Sequence, residues 1–253
     1  MGPNRVAQPR AALTLAACVC LTACASASHT PTLSADSALQ VATEAEASGN
    51  SELAISMYTE AAARDPSNTE LQLRCADALA RSGRISQARQ LLTDRQRASP
   101  GNPELMRALA LIDLVTGETT QAIAGLDRVL SINPSDMRAL VDKGIALDLQ
   151  GKHTAAQAIY RQVLASTPTD PATMNNLAVS LMLEGRTDKA LETLTSLQRI
   201  DNLPPRMKIN LGILYAATGN VEGSRQLLGD RAKDYDLSAL THAISAGGKA
   251  TPR

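Results

Sequence analysis

Residues 103–136 read PELMRALALIDLVTGETTQAIAGLDRVLSINPSD, and four of their positions decide the fold: Ala110, Gly117, Ala122 and Pro134. Apolar residues at Leu105, Leu109, Ile112 and Val115, then at Ile123, Leu126 and Leu130, recur at helical spacing on either side of Gly117. The glycine permits the positive φ that closes a first helix before a second returns. Pro134 ends the second, because proline has no N–H and disfavours helix at the residue before it. Asn102 ahead of Pro103 is an N-cap followed by a proline at the first helical position, where its missing N–H costs nothing. Ala110 and Ala122 are small where the two helices must cross closely, since longer side chains would part the axes.

The same framework returns every 34 residues. Gly49, Gly83, Gly117, Gly151, Gly185 and Gly219 hold the turn, and five residues later stand Ala54, Ala88, Ala122, Ala156, Ala190 and Ser224. Seven residues before each glycine lie Ala42, Ala76, Ala110, Gly144, Ala178 and Gly212, and Pro66, Pro100, Pro134 and Pro168 keep the spacing. Asp170 before Pro171 repeats the cap. No stretch alternates with period two, so the chain is expected to be all-α. The framework resembles the tetratricopeptide repeat family across residues 35–238, whose period is also about 34 residues. The resemblance implies a right-handed superhelical solenoid of six helix–turn–helix units, at 35–68, 69–102, 103–136, 137–170, 171–204 and 205–238. A capping helix is expected over 237–247, covering the last apolar face, with a frayed tail over 248–253. The family's tryptophan position is held by Ala38, Gln72, Met106, Leu140, Met174 and Lys208, and the chain has no Trp or Phe. The sixth unit is degraded, with Ser224 for alanine and Asp236 for proline.

The N-terminus reads differently. Arg5 and Arg10 precede an apolar run over residues 11–21, then Thr22, Ala23 and Cys24, the pattern of a secretory signal over 1–23. At about 11 residues the run is short for a spanning helix, which needs about 20. Leu21-Thr22-Ala23-Cys24 resembles the bacterial lipobox, which implies cleavage before Cys24 and its acylation. Leu15-Ala16-Ala17-Cys18 fits the same pattern with a shorter apolar core, and plain secretion with cleavage near Ala25-Ser26 is the other alternative. Ala25 is not the aspartate associated with inner-membrane retention, so the resemblance implies an outer-membrane lipid anchor facing the periplasm. Residues 24–34 would be the lipidated flexible tether. Cleavage removes Cys18 and Cys20, and with Cys24 acylated Cys75 has no internal partner. It reads as a buried small hydrophobe.

The 25 basic and 25 acidic side chains balance, and loss of Arg5 and Arg10 with the leader leaves 23 against 25. Nothing in that charge, or in four tyrosines, favours nucleic acid. His29, His153 and His242 are isolated, with no second ligand at helical spacing, so no metal is expected. Gly247-Gly248-Lys249 lacks the first glycine of a phosphate loop. Ser180, Ser224 and Ser245 have no glycine-flanked elbow, and Glu44, Glu46 and Glu192 read as solvated carboxylates. No enzyme, cofactor or small-molecule substrate is expected.

What remains is a surface for proteins. In the family, residues six, three and two before the central glycine face the concave side. Here they are Leu111, Leu114 and Val115, then Ile145, Asp148 and Leu149, then Val179, Met182 and Leu183, and finally Ile213, Ala216 and Ala217. Thr43, Glu46, Asp77 and Arg81 make the first two units more polar. An apolar strip suits an amphipathic helix or a hydrophobic segment, with Asn175, Asn176 and Asn210 as candidates to bond its backbone. Some of these apolar residues are equally placed to fill the inner curve. Met174-Asn175-Asn176-Leu177-Ala178 and Arg206-Met207-Lys208-Ile209-Asn210-Leu211-Gly212 resemble the tetratricopeptide lipoprotein of tight-adherence (Tad, or Flp) pilus systems, over about residues 170–240. That likeness implies an assembly or pilotin-like role with an outer-membrane secretin or other pilus components as partner. A general periplasmic scaffold that recruits cell-wall enzymes or outer-membrane assembly components is the alternative.

Overall fold

The helix boundaries follow from side chains that satisfy the ends of the backbone. Asn102 accepts hydrogen bonds from the N–H groups of Glu104 (2.9 Å) and Leu105 (3.2 Å), and Asp170 accepts one from Thr173 (2.8 Å). At the other end of the helix begun by Pro103, Gly117 has φ +80°. Its N–H bonds the carbonyl of Leu114 (3.1 Å), while that of Glu118 bonds the carbonyl of Asp113 (2.8 Å). This paired closure needs a left-handed residue. A Cβ on Gly117 would meet no heavy atom within 4 Å, so conformation alone reserves the position for glycine.

The computed structural model describes residues 33–195 and 203–236. Among these residues there are twelve α-helices and no strand. They are α1 (Ala35–Ala47), α2 (Ser51–Arg64), α3 (Thr69–Arg81), α4 (Ile85–Ala98), α5 (Pro103–Val115), α6 (Thr119–Ile132), α7 (Met137–Leu149), α8 (His153–Ser166), α9 (Pro171–Leu183), α10 (Thr187–Thr195), α11 (Pro205–Ala217) and α12 (Val221–Leu228). All belong to one compact unit that begins at Ser34; of the unit before it only Leu33 is described. Cys24, the leader and the helix expected over 237–247 lie outside the described residues.

Each helix packs on the next in sequence, from α1 and α2 through to α11 and α12. In addition α3 touches α5, α5 touches α7, α7 touches α9 and α9 touches α11, while successive even-numbered helices do not approach one another to that extent. The odd helices therefore form the inner wall of an all-helical solenoid. Between the two walls runs a spine of large side chains nine residues after each central glycine: Tyr58, Leu92, Leu126, Tyr160, Leu194 and Leu228, all buried. Burying such a side chain contributes about 1.5–3 kcal/mol relative to exposure, so the spine is repeated as regularly as the turns. The small positions are shaped to it. A Cβ on Gly144 would lie 2.4 Å from Tyr160 Cε1, and one on Gly212 would lie 2.6 Å from Leu228 Cγ.

The sixth unit departs earlier than its missing proline suggests. Helices α2, α4, α6 and α8 have 14 residues each, whereas α12 has 8. Gly229, with φ +57°, stops it, and a 3₁₀ segment (Gly229–Asp234) follows. Ser224 occupies the buried small position, and its hydroxyl has no hydrogen-bond partner among the described residues.

Candidate partner-binding groove

The inner wall carries an exposed apolar row. Val115, Leu149 and Leu183 are the last residues of α5, α7 and α9, and they are 66, 61 and 55% exposed. Large aliphatic side chains thus stand at the same place in three successive units, each more than half in water. Leu111, Leu114, Ile145, Val179 and Met182 lie partly buried on the same helices, as does Ile213 on α11. In the sixth unit Ala216 and Ala217 are buried, so the row ends with the fifth. Where α3 meets α5, a pocket of about 360 Å³ opens between Leu73, Ala80, Leu111 and Val115, with Asp77 and Arg81 on its rim.

Asn175, Asn210 and Asp148, all expected to face a partner, are held by the repeats themselves. Asn175 is buried, and its Oδ1 accepts from Nδ2 of Asn210 (2.8 Å), a rung between α9 and α11. Arg107 makes the equivalent rung from α5 to α7, donating Nε–H to Asp142 (2.6 Å). Burial pushes the Asp142 carboxyl above its usual range, opposed by the attraction of Arg107. Asp148 is the third. It accepts from Ser180 Oγ (2.6 Å) and from the Tyr160 hydroxyl (3.0 Å), and its Oδ1 lies 2.9 Å from His153 Nδ1. Burial and the neighbouring Asp148 raise the Tyr160 phenol far above its ordinary value.

Sequence reasoning took His153 as isolated and missed this centre. A signal was present: Glu46 and Tyr58, like Asp148 and Tyr160, stand 12 residues apart across a central glycine. Tyr58 donates to Glu46 (2.6 Å), and Arg81 pairs with both Glu46 and Asp77. The Tyr58 hydroxyl and then Arg81 hold the Glu46 carboxyl below its usual range. The polar mouth expected from Glu46, Asp77 and Arg81 is thus a knit cluster joining the first two units. At the fourth and fifth units, Glu184 accepts from Thr154 (2.8 Å), Gln157 (2.9 Å) and Arg186 (3.2 Å). The Gln157 and Thr154 bonds, followed by the one from Arg186, lower its pKa to about 2.

Serine, acid and histidine meet at Asp148 in an order unsuited to nucleophilic attack. The carboxylate stands between Ser180 and His153, so Ser180 gives its proton's bond to an acid and no imidazole is placed to remove it. Ser180 is also fully buried. Among the described residues no group of three His, Cys, Asp or Glu side chains is arranged to hold a metal. Cys75 is buried beside Thr59, and burial raises its thiol pKa, the opposite of what a reactive cysteine needs. No helix among the described residues is long and apolar enough to cross a membrane. His29 and His242 fall outside the described residues.

Two family models described as tetratricopeptide repeat match the chain, one over residues 45–98 and 149–208, the other over 107–171. No curated relative matches its sequence. Among solved structures it is similar to a tetratricopeptide repeat protein from Parabacteroides merdae, with TM-score 0.69, 15% identity, and 83% of each chain covered. PilW, a widely conserved type IV pilus biogenesis factor, gives TM-score 0.65 at 19% identity, covering 83% of this chain and 98% of its own. PilF of Pseudomonas aeruginosa gives TM-score 0.62 at 16% identity, covering 84% and 96%.

Proposed function

The chain belongs to the tetratricopeptide repeat family, and from that premise we propose that it is a lipid-anchored, non-enzymatic assembly factor for a pilus secretion system of the tight-adherence type. One observation carries the reading: Val115, Leu149 and Leu183 repeat as an exposed apolar row on the inner wall. With each of the three more than half in water, somewhat over half of the about 1.5–3 kcal/mol that full burial contributes is forgone, a loss that a partner's apolar surface would recover. Leu21-Thr22-Ala23-Cys24 supports acylation of Cys24 and an outer-membrane anchor facing the periplasm. PilW, a pilus biogenesis factor, shares the fold, and the segments around Asn175 and Asn210 carry the likeness to tight-adherence lipoproteins. On this reading the solenoid holds or escorts an outer-membrane secretin, with the apolar row as its contact.

The test is a pulldown from detergent-solubilised envelopes with the acylated protein, its Leu149→Glu/Leu183→Glu variant, and Cys24→Ser. Wild type is expected to recover a secretin, and the double variant to lose it while keeping its helical circular dichroism. Cys24→Ser is expected to leave the membrane fraction. Recovery of cell-wall hydrolases in place of a secretin would favour a general periplasmic scaffold. Membrane retention of a cleaved Cys24→Ser protein would refute the anchor.

A further inference from the structure

The inner wall has a second row, and its charge changes sign along the solenoid. Thirteen residues before each central glycine stand Asp36, Glu70, Glu104, Arg138, Ala172 and Arg206, all exposed. Each lies 11 residues before the last residue of its odd helix, as Glu104 does before Val115. Eleven residues make about three turns at 3.6 residues per turn, so the charged row and the apolar row share one face. Units one to three present acids there, and units four and six present arginines.

The acids need no partner to explain them. A carboxylate in the first turn complements the helix macrodipole, as Asp36, Glu70 and Glu104 do. Arg138 and Arg206 do the reverse, placing a cation in the first turn of α7 and α11, where the dipole opposes it. Among the described residues Arg206 makes no hydrogen bond or ion pair; Arg138 makes none either, and within the repeats it has only the attraction of the Asp142 carboxylate, which Arg107 already holds. Their position points to an anionic group from outside.

We propose that this face receives one amphipathic α-helix of a partner protein, basic where it crosses units one to three and acidic where it crosses units four to six. The inference rests on the groove reading above and names what fills the groove. Width selects a helix. The two rows lie about 16 Å apart along each odd helix, at 1.5 Å per residue. A helix about 10–12 Å across touches both rows with its side chains, whereas a single extended strand reaches one of them. Length agrees. Neighbouring odd helices pack about 8–10 Å apart, close to the about 10.5 Å between helical residues seven apart, so one apolar side chain per two turns meets Val115, Leu149 and Leu183 in succession.

The experiment uses fluorescein-labelled 28-residue peptides and fluorescence anisotropy with the full chain. One peptide carries leucines at heptad spacing with lysines in one half and glutamates in the other. A second has the same composition with the charges interleaved. The blocked peptide is expected to bind about tenfold tighter than the interleaved one at low salt, with the difference shrinking as salt rises. In Arg138→Glu/Arg206→Glu, both exposed changes, the preference is expected to fall within about twofold. Equal binding of the two peptides to wild type, or a preference that survives the double substitution, overturns the charge-graded helix. If the two then still compete for a site lost in Leu149→Glu/Leu183→Glu, the groove reading stands without it. No binding by either peptide overturns the proposal, and unchanged secretin recovery by the leucine variant overturns the groove as well.

Discussion

A methylene separates the first unit from the fourth. Both run a tyrosine hydroxyl from the outer helix to an acid on the inner one, but Tyr58 meets Glu46 while Tyr160 meets the shorter Asp148. In the fourth unit the small position against the ring is Gly144, whereas the first unit keeps Ala42. Gly144→Ala puts a Cβ 2.4 Å from the ring. Overpacking of this kind costs about 1–3 kcal/mol, to be read from urea unfolding. Adding Tyr160→Leu should return part of that loss, because alanine with leucine is the pairing of units two, three and five. An unchanged midpoint for Gly144→Ala would mean that the ring is not so held. The small position was legible from spacing alone. That it must be glycine in the fourth unit was not, because the reason lies 16 residues away in another helix.

At the scale of elements, asparagine or aspartate caps the starts of α2, α3, α5, α7, α9 and α12, and a glycine follows each odd-numbered helix. Such capping is local chemistry, whereas α4, α6 and α8 begin without a side-chain cap. The early stop of α12 at Gly229 shows the limit: attention to the absent proline at Asp236 passed over a glycine seven residues earlier. Joints between elements were less legible. Glu184 clamps α8 to the end of α9 through Thr154, Gln157 and Arg186, partners on both sides of it in sequence. Its carboxyl falls from 4.5 to about 2 in the folded chain, so it binds protons less readily folded than unfolded. That contribution is complete above pH 4.5 and is lost as pH falls toward 2. Glu184→Gln should therefore flatten the decline of stability across this range relative to wild type, measured by denaturant titration at a series of pH values. Parallel declines would show that the clamp contributes nothing.

For the whole molecule, a solenoid's stability is a sum of units and the contacts between neighbours, so its ends should open first. Of the described units the sixth, with α12 of 8 residues and a buried Ser224 hydroxyl that has no hydrogen-bond partner among the described residues, is expected to be the weakest. Native-state hydrogen exchange should find amides of α12 exchanging before those of α6 and α8. Equal protection would mean that other contacts reinforce the sixth unit. The 34-residue repetition determined the architecture by itself, because turn, crossing and spine are each set by residues close in sequence. It also named Val115, Leu149 and Leu183 as inward-facing. Only the tertiary structure decided which inward residues are bonded within the repeats and which stay exposed. Asn175, Asp148 and Glu46 are spent on neighbouring units, while the three aliphatic residues remain in water. A bond between units joins residues about 35 apart, and no local pattern records whether the second partner is there to meet the first.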